Sequence, residues 1–569
     1  MSYTEALHQP VSTFSTRFPF IMVFVAFLRK EEILKGDSAT IDDATALKGQ
    51  KILGAFLDMS KTIISSYKKL LEKTKNIVTL NSAASILHWD METKMPPKGI
   101  KIRSLQLAML SRIGHKMTTD PEIGHLLEAT IKHPEYGSLE PVHKRNLYLI
   151  KKNYNEQTKL PEELVVEISK QQALTIDTWK KAKAAKDFNK FKPELEKLFK
   201  LKNQAAEILM QVKETASPYD ALLDIFEPKM SSEAISKVFK ELREGLTSLL
   251  KKCETSSKQP DTSILNRTVS AETQQKIGKL LAEFIGYDVT SAKSGGRIDE
   301  TEHPFTTGYY DDVRITTHYY PNRFTSSIFS IMHESGHAIY EQNLKREWMF
   351  QPVGDACSMG FHESQSRFVE NIVGRSREFW SYFLPALKKM TGNVFSDMNL
   401  DDFVHAINHV KPSKIRIEAD EVTYGLHVII RFNIERDLFA DKIAIDELPQ
   451  VWNESYSKYL GVTVENDSEG VMQDTHWASG LFGYFPSYAL GNIYSGQILT
   501  SMENDIQDWQ KQISMGDFRN VKQWLVKNVH RYGNLHSPPD LIKITAGKEL
   551  AVDPYLNYLN EKYSRLYEF

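Results

Sequence analysis

Residues 328–340 read "IFSIMHESGHAIY". On a helix each residue advances 100°, so His333 and His337 lie within about 40° of each other, one turn apart. Ile328, Ile331 and Ile339 fall on the opposite face, where they anchor the segment in a core. Glu334 is displaced about 100° from His333 and points beside the histidine pair. In the pattern H-E-x-x-H this spacing supplies two metal ligands and a general base for a water on the ion. The same spacing also fits a plain helix that carries two surface histidines.

A catalytic ion of this kind takes three protein ligands and keeps one position open. Glu341 continues the histidine face but lies about 12 Å along the axis from His333, too far for a bond of about 2 Å. Tyr340 and Asn343 stand where a metzincin would carry its glycine and third histidine. The third ligand must therefore come from another helix. In "GFHESQSRFVEN" (360–371), Glu363, Arg367 and Glu370 recur at i, i+4 and i+7. Glu363 can ligate while Arg367 and Glu370 orient the ligands; periodicity alone equally allows three surface charges.

The rest of the chain is consistent with a helical scaffold. "ISSYKKLLEKTKNIVTLNSAASILHWD" (64–90) and "FKPELEKLFKLKNQAAEILMQVKETA" (191–216) place apolar residues at helical spacing among lysines and glutamates. Proline and glycine gather between such runs, as in "METKMPPKGI" (91–100) and "SSKQPDTS" (256–263). "FTTGYYDDVRITTHYY" (305–320) alternates and is rich in threonine and tyrosine, so it predicts a short β-ribbon.

At 569 residues with a net charge of −2, the chain has the length for a large core and no basic field to attract nucleic acid. Two cysteines, Cys253 and Cys357, are too few for a disulfide framework and read as free buried thiols in a reducing cytoplasm. "FPFIMVFVAFL" (18–28) is too short to span a bilayer, which takes about 20 residues, and no small-residue cleavage site follows it. It reads as part of an extension, with no membrane association expected.

The ordered set "HPF" (303–305), "DVRIT" (312–316), "HESGH" (333–337), "HESQSR" (362–367), "IRIEAD" (415–420) and "GVMQDTHW" (470–477) closely resembles the carboxypeptidase Taq family of metal-dependent carboxypeptidases. "SAASILHWDMETKMPP" (82–97) and "GLFGYFPSYALGN" (480–492) are also similar to that family. The resemblance runs from about residue 65 to 569. It implies an all-α clamshell with a deep groove and one small β-ribbon, related to neurolysin and angiotensin-converting enzyme. A domain at 61–569 is expected behind an extension at 1–60.

The resemblance also implies His333, His337 and Glu363 as metal ligands and Glu334 as the base. One divalent ion per subunit is expected, zinc with cobalt or manganese as substitutes, in a homodimer. Two histidines and a carboxylate would also suit non-haem iron, but a positioned base argues for hydrolysis.

A carboxypeptidase must also bind a free C-terminal carboxylate, and a guanidinium fork suits it. Arg416 is the first candidate, against a helix pair with Asp420; Arg314 is the second, against a pair with Asp312. His476 and Tyr424 are candidate oxyanion donors, His476 against a structural role beside Asp474. His88, His303 and His362 carry no assigned chemistry.

The leading expectation is release of single C-terminal residues from peptides with broad specificity. A dipeptidyl carboxypeptidase or oligopeptidase, a helical peptide-binding protein without turnover, and a metal-dependent oxygenase are the alternatives.

Overall fold

A computed structural model describes residues 43–569, with side chains from Ile63 onward. The apolar stretch 18–28 lies outside the described residues. The chain divides into an N-terminal unit ending at Ser66 and a large unit, Tyr67–Phe569, which holds every residue of the site. The two runs read as helical fall in helices Asp43–Thr93 and Phe188–Lys213. No described helix is long and apolar enough to cross a membrane.

The predicted ribbon is a hairpin of β2 (Thr306–Tyr309) and β3 (Asp312–Thr317), joined to a further strand, β1 (Gly296–Glu300). The order is β1–β3–β2, with β1 parallel and β2 antiparallel to β3. Val313 and Ile315 of the central strand are fully buried. Arg314, between them, points the other way and, with Arg297 of β1, approaches the Trp89 ring, with guanidinium carbons 4.3 and 4.7 Å from its centroid. As the second edge of the sheet, β2 has one side unpaired by any strand among the described residues.

Behind the sheet runs the histidine helix, Phe324–Gln342. Ile328, Ile331 and Ile339 are buried, each contributing roughly 1.5–3 kcal/mol. Ile331 lies so close to Gly278 of helix Ala271–Ile285 that a Cβ there would meet its Cδ1 at 2.5 Å. Asn343 closes the helix, its backbone N–H donating to the Tyr340 carbonyl.

The glutamate helix, Met359–Arg367, crosses in front of it. Ser358 caps it by accepting from the Phe361 N–H at 3.0 Å, a contact of about 1 kcal/mol. Buried Glu227 accepts from the Gly360 N–H. Burial pushes the Glu227 carboxyl up to about 7, although the Gly360 N–H and the Ser358, Ser487 and Tyr494 hydroxyls pull it back. After Arg367 the chain continues through a π-helical turn, Phe368–Val373, which carries Glu370.

Two glycines set the closeness of these crossings. A Cβ on Gly336 would stand 2.6 Å from the Gln365 carbonyl oxygen and the Ser366 Cα. On the other side, helix Pro486–Asp505 presses Gly491 against Glu363, where a Cβ would meet the Glu363 Cβ and Cγ at 2.7 Å. Bare backbone on both sides lets Glu363 reach the histidines.

Cys253 and Cys357 are both free and buried, as the composition suggested.

Candidate metal centre

His333, His337 and Glu363 bring one ligand atom each to within 4.8 Å of one another. Glu363 Oε2 lies 3.5 Å from His333 Nε2 and 3.4 Å from His337 Nε2. An ion with tetrahedral bonds of about 2.0–2.2 Å holds its ligand atoms roughly 3.3–3.6 Å apart. These two edges therefore match a zinc-like ion, and two imidazoles with a carboxylate are a borderline donor set that such ions accept.

The three candidate ligands are themselves held. Glu370 Oε2 lies 2.8 Å from His333 Nδ1, which leaves Nε2 for the ion. Arg367 donates from Nε to Glu363 Oε1 at 2.7 Å and from Nη1 to Glu370 Oε2 at 3.3 Å. Arg375 adds a longer contact to Glu370 Oε1 at 3.4 Å. The i, i+4, i+7 pattern is thus a set of site contacts and not a solvated face.

Electrostatics follow from this packing. Burial works against the Glu363 and Glu370 carboxylates, but Arg367 and His333 outweigh it. Glu363 is held well below the usual carboxylate range and Glu370 at about 2. For His333, burial favours the neutral ring, yet the Glu363 and Glu370 carboxylates raise its pKa overall. His337 is pushed down to about 3, chiefly by burial, and is neutral.

Glu334 is buried beside the triangle, and its pKa is raised, chiefly by that burial. Thr306, the first residue of β2, donates its hydroxyl to Glu334 Oε2 at 2.5 Å. Sequence reasoning does not find Thr306; "FTTG" gives no sign of which threonine reaches the site.

The remaining candidates separate into one cluster and one outlier. Arg416 is buried; its Nε and Nη2 donate to Asp474 Oδ1 at 3.1 and 2.9 Å, and its Nη1 donates to the Tyr424 hydroxyl at 3.0 Å. Its alternative partner, Asp420, instead accepts from the N–H groups of Lys411, Val422 and Thr423 and from the Thr423 hydroxyl. Asp420 thus closes the turn that precedes helix Tyr424–Phe439, and an i, i+4 pair with Arg416 does not form.

Arg431 also pairs with Asp474, at 2.6 Å. Two guanidiniums on one carboxylate leave an excess of one positive charge. The Tyr424 ring lies 4.2 Å from the Arg367 guanidinium carbon, which links Arg416 to Glu363 through three successive contacts.

His476 stacks on Phe485, ring centroids 4.3 Å apart, with Nε2 3.1 Å from the Tyr488 hydroxyl. Burial holds it neutral, with a pKa of about 3. Among the described residues its Nδ1 is buried with no protein partner, and Asp474 is committed to the two arginines and does not hold it. Tyr484 and Tyr488, four apart in the "GLFGYFPSYALGN" stretch, complete this aromatic wall. The family resemblance picks out that stretch but assigns its tyrosines no role.

Arg314 stands apart, forked onto Asp312 at 2.7 and 2.8 Å. This is the ribbon pair that its sequence neighbourhood offers as the alternative.

The family model for carboxypeptidase Taq (M32) metallopeptidases matches residues 69–563. The chain is 39% identical over 505 residues to carboxypeptidase 1 of Bacillus subtilis, covering 88% of this chain and 98% of that one. It is 38% identical over 510 residues to thermostable carboxypeptidase 1 of Thermus thermophilus, covering 88% and 99%. The crystal structure of an M32 carboxypeptidase from Deinococcus radiodurans superimposes with a TM-score of 0.85 at 33% identity, covering 89% of this chain and 100% of that one. The family model spans most of the chain, relatives of 38–39% identity cover 88% of it, and the chain belongs to the carboxypeptidase Taq (M32) family of metallopeptidases.

Proposed function

We propose that this metallocarboxypeptidase releases single C-terminal residues of many kinds from peptides with a free carboxylate. One divalent ion, zinc with cobalt or manganese as substitutes, is held by His333, His337 and Glu363. The observation that carries the reading is the convergence of those three side chains with Glu334 buried beside them. When bound, the ion supplies Lewis acidity that brings the pKa of water toward about 7.

Glu334 is the general base. Its Oε2 is occupied by Thr306, so Oε1 is the oxygen that takes the proton. Burial raises its pKa, which makes it a stronger base than an exposed glutamate. The free edge of β2 begins at Thr306 and lies beside that carboxylate, a fitting place for a peptide backbone to pair as an added strand.

Arg416 binds the terminal carboxylate. Three of its five N–H groups are taken by Asp474 and Tyr424, which leaves two for a substrate in a pocket of net positive charge. Arg314 remains the second choice, since both its fork positions face Asp312. His476, whose Nε2 lies 3.1 Å from the Tyr488 hydroxyl, is the donor assigned to a developing oxyanion. Tyr424 is the further donor.

The catalytic domain is read as 61–569, with 1–60 an extension outside it. A cytoplasmic homodimer is the assembly the family resemblance implies, and the buried thiols suit a reducing compartment. A peptide ladder followed by mass spectrometry, with and without chelator, tests the function. Loss of one residue at a time from free-acid peptides and none from C-terminally amidated ones is expected. Internal cleavage of the amidated peptide would mark an oligopeptidase instead, and no cleavage with metal present would mark a binding protein.

A further inference from the structure

His362 and Glu341 carry no role in the chemistry so far, yet they form a chain with His337. His362 Nδ1 lies 2.6 Å from His337 Nδ1, and His362 Nε2 lies 2.8 Å from Glu341 Oε1. His337 and Glu341 are one turn apart on the histidine helix, and His362 is the residue before Glu363 on the facing helix. The glutamate helix thus sends consecutive side chains to the two nitrogens of one imidazole.

The protons on this chain follow from donor counting. If His337 Nε2 faces the ion, its proton sits on Nδ1, which donates to His362 Nδ1. His362 then has its own proton on Nε2, and that proton points at the Glu341 carboxylate. Every donor then meets an acceptor. Any other tautomer of His362 would set two N–H groups against each other at 2.6 Å.

The other histidine is held differently. His333 touches a carboxylate, Glu370, directly, but that carboxylate is shared with Arg367 and Arg375. For His337, no arginine among the described residues pairs with the anchor; the imidazole of His362 separates it from Glu341 instead. Metal-bound histidines are oriented and made more basic by what their second nitrogen touches.

We propose that His362, anchored by Glu341, is the positioning residue for His337, fixing its tautomer and ring plane and conveying part of the Glu341 charge to it. The proposal rests on the reading of His337 as a ligand. It concerns how firmly the ion is held, and the residues involved touch neither substrate nor ion.

The test measures zinc release to a chromogenic chelator and the absorption spectrum of the cobalt-substituted protein, with near-UV circular dichroism as the check on folding. His362→Phe keeps the ring that packs on Tyr340, at 5.2 Å between centroids, but removes both nitrogens. It is expected to weaken zinc affinity about 10–100-fold and shift the cobalt bands. His362→Asn, whose amide oxygen can accept from His337, is expected to fall between Phe and wild type. Glu341→Gln is expected to weaken zinc affinity less than His362→Phe does, and to add nothing in the double variant.

Zinc release at the wild-type rate from folded His362→Phe, with wild-type cobalt bands, would overturn the proposal and leave packing as its role. A full additional effect of Glu341→Gln in the absence of His362 would also overturn it. His337→Ala separates the two levels. If it retains zinc, the ligand reading has failed; if it loses zinc while the His362 variants do not, only the positioning role has failed. Should His362→Phe not fold, His362→Asn and Glu341→Gln decide the matter: wild-type zinc release from both would overturn the proposal.

Discussion

Thr306 and Glu334 meet twice: the Thr306 hydroxyl donates to Glu334 Oε2 at 2.5 Å and lies 3.1 Å from the Glu334 carbonyl oxygen. The edge strand of the sheet thereby grips the base and the backbone that carries it. Glu334→Gln keeps the shape and removes the base, so the variant is expected to hold its metal and lose turnover by about 10²–10⁴-fold. Thr306→Val removes one hydrogen bond to a charged group, about 1.5–3 kcal/mol, and should lower kcat/KM roughly 10–150-fold with metal content unchanged. Metal analysis beside steady-state kinetics checks both; near-normal turnover of metal-loaded Glu334→Gln would sink the mechanism.

Glu363 and Glu370 make different contacts and should fail differently. Glu363→Ala leaves two histidines as the only protein ligands, and dialysis against chelator is expected to strip the ion. Glu370→Gln leaves the triangle intact but loosens His333, for an expected loss of about 10–100-fold in affinity. Full occupancy of dialysed Glu363→Ala would move the third ligand to Glu370.

Arg416→Ala should cost about 2–5 kcal/mol in kcat/KM for free-acid peptides, the range for truncating one partner of a buried charge pair. Arg416→Lys should recover only part, because a point charge cannot reproduce the fork. Since Arg431 still neutralises Asp474, the folded variant can be assayed. Wild-type rates from it would transfer the role to Arg314.

His530 offers a pH test away from the ligands. It is fully buried, with Nε2 2.9 Å from Gln365 Oε1, and burial pushes its pKa down to about 3. Above the unfolded value of about 6.5 both states are neutral and its contribution to stability is fully present. As pH falls from there toward 3, the unfolded chain binds a proton that the folded ring refuses. Stability then declines by about 1.4 kcal/mol per pH unit from this residue. His530→Gln keeps a donor for Gln365, so its stability should fall by that much less per unit between pH 6 and 4. Equal slopes in urea unfolding would show that His530 titrates normally.

The histidine helix is legible in the sequence because one face has to be apolar and the other has to carry the ligands. Arg367 and Glu370 are legible at the same level, since helical spacing turns them toward Glu363. Four other features are hidden, each for its own reason. The strand Gly296–Glu300 reads "GRIDE", and its arginine and aspartate pair with each other, so it has no apolar run to announce it. The π-helical turn that carries Glu370 has no sequence mark. Asp474 takes two guanidiniums from remote segments, and such long-range choices leave no periodicity; local spacing points Arg416 to Asp420 instead. His362 and Glu341 are each visible, but their meeting depends on how closely two helices cross.

That crossing has a consequence for motion. All three proposed ligands sit on two helices locked backbone to backbone at Gly336, with a third helix pressed on Glu363 at Gly491. The base rides on one of those helices but is gripped by the sheet through Thr306. Through that one hydroxyl the sheet reaches both the Glu334 carboxylate and the backbone of the helix that carries His333 and His337. A shift of the sheet at Thr306 would therefore act on the Glu334 carboxylate and on the histidine helix together, so the aim of that carboxylate and the spacing of the triangle would be disturbed as one.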